Sequence, residues 1–395
     1  MIPPFSISNL PRIIFGENSL DQVPDLLNSF GRRVLIVTGG KSFRDSVRWQ
    51  RLLDALKRKG ISWEDMVVDR EPSPQLVDDA VQAFRHAGIE AVLGIGGGSV
   101  LDAAKAVAGL LPHGNSVMDH LEGVGPERPY QGPSLPFVAV PTTAGTGSEA
   151  TKNAVLSVQG PDGFKKSFRH ESLVAKYAVV DPDLLATCPP GLIAANGMDA
   201  LTQLLESFVS ARANPLTDAL ALSGLARVRD GLLAWYEGGE GAAEGRAAMA
   251  YAALLSGITL AQAGLGAVHG LAAPLGAFFP IPHGVACGAL VAEATRVNID
   301  AMEQREPRNP ALEKYARAGR LFRGKARMDD AGARVALVQV LEEWTARLNM
   351  PSLGAYGVGE ADLDRIVAHS RGNSMKTNPV VLDDGEVRRI LQRCL

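Results

Sequence analysis

Cysteine is scarce in this chain of 395 residues. The three present, Cys188, Cys287 and Cys394, are odd in number and far apart. Such spacing suggests neither a disulfide framework nor a CxxC metal knuckle, and it points to a reducing, cytoplasmic compartment. Long hydrophobic runs are also missing. Gly, Pro or a charge interrupts each apolar stretch before the roughly 20 residues that a membrane span needs. The opening MIPPFSISNLPRIIFGENSL lacks the basic region and continuous apolar core of a signal peptide. Neither sign of charge prevails: a net charge of -3 gives no electrostatic reason to expect nucleic acid or an anionic membrane as partner. There is no repeat of fixed period and no low-complexity tract. What remains is an ordinary globular composition, 46% hydrophobic and 21% charged, in a chain long enough for two or three domains.

The texture changes near the middle. Up to about residue 185, short β-rich runs (VLIVTGG at 34–40, AVLGIGGG at 91–98, FVAVPTT at 137–143) alternate with helical patterns such as SVRWQRLLDALKRKG and QLVDDAVQAFRHAG. Strands alternating with helices of that length predict βαβ units on a parallel sheet. Beyond DPDLLATCPPGL the β signal stops. Long helical patterns follow, among them MDALTQLLESFVSA, PLTDALALSGLARVRDGLLAWYEG and GRAAMAYAALLSGITLAQAG. Pro189, Pro190 and Gly191 mark the boundary, because a Pro-Pro-Gly run stops regular structure. The expectation is an α/β Rossmann-like dinucleotide-binding domain over 1–188 and an all-helical domain over 189–395. EGGEGAAEG, 237–245, reads as a flexible loop between two helices.

Three features carry chemistry. Gly96, Gly97 and Gly98 follow a strand and precede a helix, which lets backbone approach a pyrophosphate while the helix N-terminus offers free N–H groups. The spacing is neither GxGxxG nor that of a P-loop, and a tight βα turn without a ligand explains it as well. In VPTTAGTGSEAT, the hydroxyls of Thr142, Thr143, Thr146 and Ser148 lie between glycines and suit ribose and phosphate groups, although such loops also serve as plain connectors. Finally, two of only seven histidines, His269 and His283, fall in GLGAVHGLAAPLGAFFPIPHGVACG. Upstream, Asp199 and Gln203 are spaced i, i+4 on one helix face, as a metal-ligand pair requires.

Taken with FGENSL, GGGSVLDAAK, PTTAGTGSE, VVDPDL, GMDALT, AVHGLAAPLGAFFPIPHG and SMKTNP, in that order and at those distances, the chain resembles the iron-containing (group III) alcohol dehydrogenases. These belong to a wider superfamily with glycerol dehydrogenase and dehydroquinate synthase. The resemblance implies a dehydroquinate synthase-like fold and NAD(P)-dependent hydride transfer between an alcohol and an aldehyde whose oxygen is polarised by a divalent metal, iron or zinc. It places the pyrophosphate on Gly96, Gly97, Gly98 and Ser99 with Asp102, the nucleotide on Thr142, Thr143 and Thr146, and the nicotinamide ribose near Lys165, with Lys166 as a neighbour that competes for that role. It places the metal on Asp199, Gln203, His269 and His283, of which Asp199, His269 and His283 are the catalytic set. It also suggests a homodimer or larger assembly, through the N-terminal strand.

Two positions depart from the family pattern. Gln203 stands where the family has histidine; a neutral carbonyl oxygen suits iron or zinc less well than imidazole does, so the metal should be held more weakly. Ala273 stands where HxMAHPLG has its second histidine, so any proton relay there must use another group or water. After the second strand, Gly39, Gly40 and Lys41 replace the carboxylate typical of NAD-preferring relatives, which predicts acceptance of NADP. Gly264, Gly266, Ala267, Ala272 and Ala273 are small enough to suggest room for a substrate larger than ethanol. A lyase of the dehydroquinate synthase kind would need a basic cluster that residues 199–283 lack. A metal-independent oxo-acid (maleylacetate-type) reductase could use Arg169, His170, Arg371 or Lys376 for the carboxylates. A nucleotide-binding protein that has lost catalysis is the third reading.

Overall fold

The computed structural model describes residues 4–395. The first part of the chain contributes β1 (Arg12–Phe15), α1 (Val23–Asn28), β2 (Arg33–Thr38), α2 (Val47–Arg58), β3 (Ser62–Val67), α3 (Pro74–Phe84), β4 (Ala91–Gly96), α4 (Gly98–Leu110), β5 (Phe137–Pro141), β6 (Asn153–Val158), β7 (Phe164–Arg169) and β8 (Tyr177–Val180). The remainder is helical: α5 (Pro190–Val209), α6 (Pro215–Glu237), α7 (Ala242–Ala263), α8 (Ala267–Phe278), α9 (His283–Arg305), α10 (Pro310–Arg323), α11 (Asp330–Arg347), α12 (Leu363–His369) and α13 (Asp384–Arg393). Two compact units result, one of residues 8–158 and 165–188, the other of 4–7, 159–164 and 189–395. The short segment between β6 and β7 thus clusters with the helices.

In the α/β unit, six parallel strands run in the order β1-β8-β5-β4-β2-β3, and β6 and β7 form a separate two-stranded sheet. Strands β4 and β5 are buried along their whole length, and β2 everywhere but at Arg33. That is why they read as continuous apolar runs and not as alternation: helices cover both faces of a parallel sheet. Setting β1 aside as an added edge strand, the order is that of the doubly wound 2-1-3-4-5 sheets, whose switch point lies between β2 and β4. Local sequence starts the helices as expected. The Ser46 and Ser73 hydroxyls accept from the N–H groups of Trp49 and Leu76 at the starts of α2 and α3.

The helical unit is built on α5, of whose twenty residues sixteen are buried, so its sequence shows no polar stripe. Asn214 and Thr217 form a reciprocal capping box at the start of α6, and Gly238 and Gly264, both at positive φ, end α6 and α7. The loop expected over 237–245 is shorter than the sequence implied. Helix α7 already starts at Ala242, because Ala242, Ala243 and Glu244 favour helix enough to extend it back towards the glycines. Among the described residues, no single helix is long and apolar enough to cross a membrane.

Candidate metal centre and nucleotide loops

Helix α5 presents Asp199, Gln203 and Glu206 at i, i+4 and i+7, which places all three on one face. Helix α8 brings His269, and α9 begins with His283 and carries Cys287 one turn later. Two glycines make the approach of α9 to α5 possible. A Cβ on Gly284 would come within 2.3 Å of the Ala195 carbonyl oxygen, and one on Gly288 within 3.1 Å of Met198 Cβ. The side chains therefore converge. Asp199 Oδ1 lies 3.2 Å from His269 Nε2 and 3.8 Å from His283 Nε2. Cys287 Sγ lies 3.7 Å from His269 Nε2 and 3.9 Å from His283 Nε2. One donor atom from each of these four residues falls within 4.8 Å of every other.

Glu206 organises the centre from behind. Its Oε2 sits 2.6 Å from His269 Nδ1, and its Oε1 accepts from the Val268 N–H at 2.7 Å. The first contact makes Nδ1 the protonated nitrogen of a neutral His269 ring and leaves the Nε2 lone pair directed at Asp199. Lone pair then faces carboxylate, an arrangement that calls for a cation between them. Without a metal, a proton fills that role: His269 is held well above its ordinary value, since burial alone would lower it but Cys287, Asp199 and Glu206 outweigh that effect. Burial would likewise raise Asp199, yet His283, His269 and Gln203 hold it below the usual carboxylate range. Carboxylate, imidazoles and thiol, all buried but for the half-buried His283 and backed by the Glu206 carboxylate, form a donor set that fits a divalent cation.

Gln203 is engaged in hydrogen bonds. Its amide nitrogen donates to Asp199 Oδ1 at 3.2 Å, and its carbonyl oxygen accepts from the Ser256 hydroxyl at 2.9 Å. Ala273 lies on α8, one turn past His269 and next to Pro274. Gly264 and Gly266, among the small residues nearby, do not open space. A Cβ on Gly264 would meet Thr377 Oγ1 at 2.7 Å, and one on Gly266 would meet Asn378 Oδ1 at 2.8 Å and Glu206 Oε1 at 2.9 Å, while Ala267 and Ala272 are fully buried. The two glycines are small because neighbours press against them. The cations considered for an oxo acid have local partners: Arg371 pairs with Asp384, Arg169 with Glu122, Lys376 bonds Asn373, and His170 bonds Ser172.

The glycine loop lies at the C-terminal end of β4, with Gly97 as N-cap of α4 and Gly98 and Ser99 in its first turn. Thr142, Thr143 and Thr146 follow β5, and the Thr142 N–H donates to the Gly96 carbonyl at 3.0 Å. The two loops lie against each other: a Cβ on Gly98 would fall 2.7 Å from Thr146 Cγ2, and one on Gly97 3.3 Å from Thr143. Gly39 ends the neighbouring strand β2, so the glycines flank the switch point between β2 and β4, where doubly wound sheets take their ligands. Lys41 is exposed. Asp102 points inward, accepting from Ser148 Oγ and from the Val155 N–H at 3.1 Å, and so ties α4 to the threonine loop and to β6. Lys165, on β7, pairs with Glu71 at 2.7 Å.

Comparison with known proteins decides the family. A model of the iron-containing alcohol dehydrogenases matches residues 11–182, and a model of the C-terminal part of the same family matches 193–395. The chain belongs to the iron-containing alcohol dehydrogenase family. It is 32% identical to alcohol dehydrogenase 4 of Saccharomyces cerevisiae, over 99% of this chain and 97% of that protein. It is 29% identical to an NADPH-dependent butanol dehydrogenase of Clostridium saccharobutylicum, over 97% and 96%. The solved structure of a 1,3-propanediol oxidoreductase matches with a TM-score of 0.88 at 27% identity, over the full length of both chains. The two-part fold expected from the sequence is the fold observed, and this iron-containing alcohol dehydrogenase is an oxidoreductase whose substrates are alcohols or aldehydes. The family uses NAD(P) and a divalent metal. Sequence reasoning missed Glu206 and Cys287. Both had a signal, the i+7 position from Asp199 and the i+4 position from His283.

Proposed function

We propose that this enzyme interconverts an alcohol and its aldehyde with NADP(H), and that Asp199, His269 and His283 hold the divalent metal. The observation that carries this reading is the convergence of Asp199 and two imidazoles on one buried point with His269 fixed from behind by Glu206. A cation bound there supplies Lewis acidity to the substrate oxygen. The protein does the rest: Glu206 keeps His269 in one tautomer, and the hydrogen bond from Gln203 keeps Asp199 from rotating. Gly39, Gly96, Gly97, Gly98, Ser99, Thr142, Thr143 and Thr146 take the cofactor, its pyrophosphate at the N-terminus of α4. Asp102 acts by positioning these loops, and Lys165 lies toward the ribose. With no carboxylate at Gly39 and Lys41 exposed beside it, a 2'-phosphate is accepted, in line with the NADPH dependence of the butanol dehydrogenase relative.

The same reading includes a homodimer formed along β1, an edge strand on which Ile13 and Phe15 are exposed, and a reducing cytoplasm suited to three free cysteines. The experiment is metal content of the purified protein together with NADPH and NADH oxidation against a panel of aldehydes, with and without a chelator. Chelator-sensitive turnover that favours NADPH is expected. Undiminished turnover in metal-stripped protein would overturn the metal assignment, and a preference for NADH would overturn the reading of Gly39 and Lys41.

A further inference from the structure

We propose that Cys287 is the fourth protein ligand of the metal centre, a thiolate that takes over the place left by Gln203, so that the site is selective for zinc over iron. The inference rests on the metal assignment above and goes beyond it, since Asp199, His269 and His283 could hold a cation without Cys287. Three independent observations carry it.

The first is geometry. Zinc binds nitrogen and oxygen at about 2.0–2.1 Å and thiolate at about 2.3 Å, so the edges of a tetrahedron around it measure about 3.3 Å between N or O donors and about 3.6 Å from N to S. The observed separations are 3.2 and 3.8 Å from Asp199 to the two imidazoles, and 3.7 and 3.9 Å from Cys287 Sγ to the same two nitrogens. Four of the six edges thus lie near those of one tetrahedron, and the other two are within 4.8 Å. The second is the helix. His283 and Cys287 are i, i+4 at the start of α9, and Gly284 and Gly288, each one residue beyond a ligand, let α9 approach Ala195 and Met198 of α5 closely enough to bring Sγ to the centre. The third is the orientation of Gln203. It turns its NH2 group to Asp199 Oδ1 and its carbonyl oxygen to the Ser256 hydroxyl, so the one atom with which it could ligate a cation is engaged elsewhere.

The chemistry of the donor set then changes. Among the groups bound directly to the cation, a carboxylate and a thiolate together match its two charges, with the Glu206 carboxylate one step further out behind His269. Thiolate is the softest donor available to a protein, and it suits zinc better than the harder iron(II). Binding follows Cys-SH + M2+ → Cys-S-M+ + H+, with the proton released to solvent and no redox partner needed.

Cobalt(II) reports the ligand directly. Metal-free protein is loaded with one equivalent of cobalt, and the near-ultraviolet thiolate-to-cobalt charge-transfer band is recorded for the parent chain and for Cys287→Ser, Gln203→Ala, Cys188→Ala and Cys394→Ala. Zinc affinity is measured in parallel against a chromogenic chelator. The parent, Gln203→Ala, Cys188→Ala and Cys394→Ala chains should show the band. Cys287→Ser should lose it and hold zinc about 10–100-fold more weakly, and the parent should take up zinc ahead of iron(II) from an equimolar mixture. Stoichiometric cobalt without the band in the parent overturns the proposal while leaving the Asp-His-His centre standing; this readout needs no variant to fold. A band that survives in Cys287→Ser overturns it equally. Failure of the parent to bind any cobalt would remove both the proposal and the metal assignment, and NADPH-dependent turnover of the same sample then tells whether the cofactor reading falls as well.

Discussion

Each unit of this protein buries a cluster of carboxylates, and the two clusters are balanced in opposite ways. In the α/β unit, Asp102 and Glu149 lie near Lys105, whose ammonium is completely buried. Its Nζ bonds the Ser148 carbonyl and hydroxyl, Thr151 Oγ1 and the Asn153 carbonyl at 2.6–3.1 Å, with Asp102 at 3.6 Å. The cation is part of the chain, and the cluster is complete once folding is complete. In the helical unit, Asp199 and Glu206 instead pair with histidines, groups that carry charge only when protonated. That second cluster has to take its cation from solution, as a proton or as a metal. Buried acidic side chains alone therefore do not mark a site. What marks one is a surplus of inward-facing lone pairs over the positive charge that the fold itself supplies.

The sharpest test separates activity from stability. His283→Ala should lower turnover about 1000-fold, the equivalent of several kcal/mol of lost charge stabilisation, and should empty the site of metal. The melting temperature of the metal-free protein and its affinity for NADPH should hardly change. A large loss of metal-free stability would mean that the helical cluster is structural after all. Lys105→Met should behave in the opposite sense. It strands Asp102 and the carbonyls of Ser148 and Asn153, at a cost of about 3–5 kcal/mol, read as a lower midpoint in urea, with metal content per folded chain unchanged. A cost under about 1 kcal/mol would show that the ammonium is dispensable. Glu206→Gln comes next. An amide orients His269 less strictly than a carboxylate does, and metal affinity should fall about 10–100-fold in competition with a chelator. Unchanged affinity would leave Glu206 a plain helix cap for Val268.

These contrasts also explain what was legible in the sequence. The glycine and threonine loops were, because their chemistry is local: backbone amides, hydroxyls and the start of a helix lie within a few residues of one another. The core strands were, since burial on both faces turns β2, β4 and β5 into unbroken apolar runs. Asp199, His269 and His283 were visible through motif order. The partners that complete the centre were not. Glu206 meets His269 across 63 positions and Cys287 meets it across 18; helical spacing puts each on the face of a motif residue of its own helix, but nothing in the sequence says that the three helices converge there. A cysteine without a CxxC neighbour reads as a small apolar residue, and Gln203 reads as a weak oxygen ligand until its hydrogen bonds to Asp199 and Ser256 are seen. Gly264 and Gly266 looked like room for substrate and are instead close packing. Composition carries residue size, but not which side of a residue is occupied.

The most gradual effect concerns the internally balanced cluster and its response to pH. Burial pushes Glu149 up to about 7, against an ordinary 4.5, with its own backbone N–H and the Lys105 ammonium compensating only in part. Because the folded value is raised, the protonated acid is the form that the fold favours. Its contribution is fully present below pH 4.5 and is lost as pH rises through 7, where a carboxylate must be held in the interior. Glu149→Gln removes the titration while keeping nearly the same volume. The variant should gain stability relative to the parent as pH is raised from 4.5 to 8, by up to about 3 kcal/mol at the upper end. Urea midpoints measured across that range provide the check. A constant difference between the two chains would mean that Glu149 does not titrate there and that Lys105 balances it in full, although burial still raises Asp102 beside the same ammonium, and the two buried clusters would then differ even more sharply than their geometry indicates.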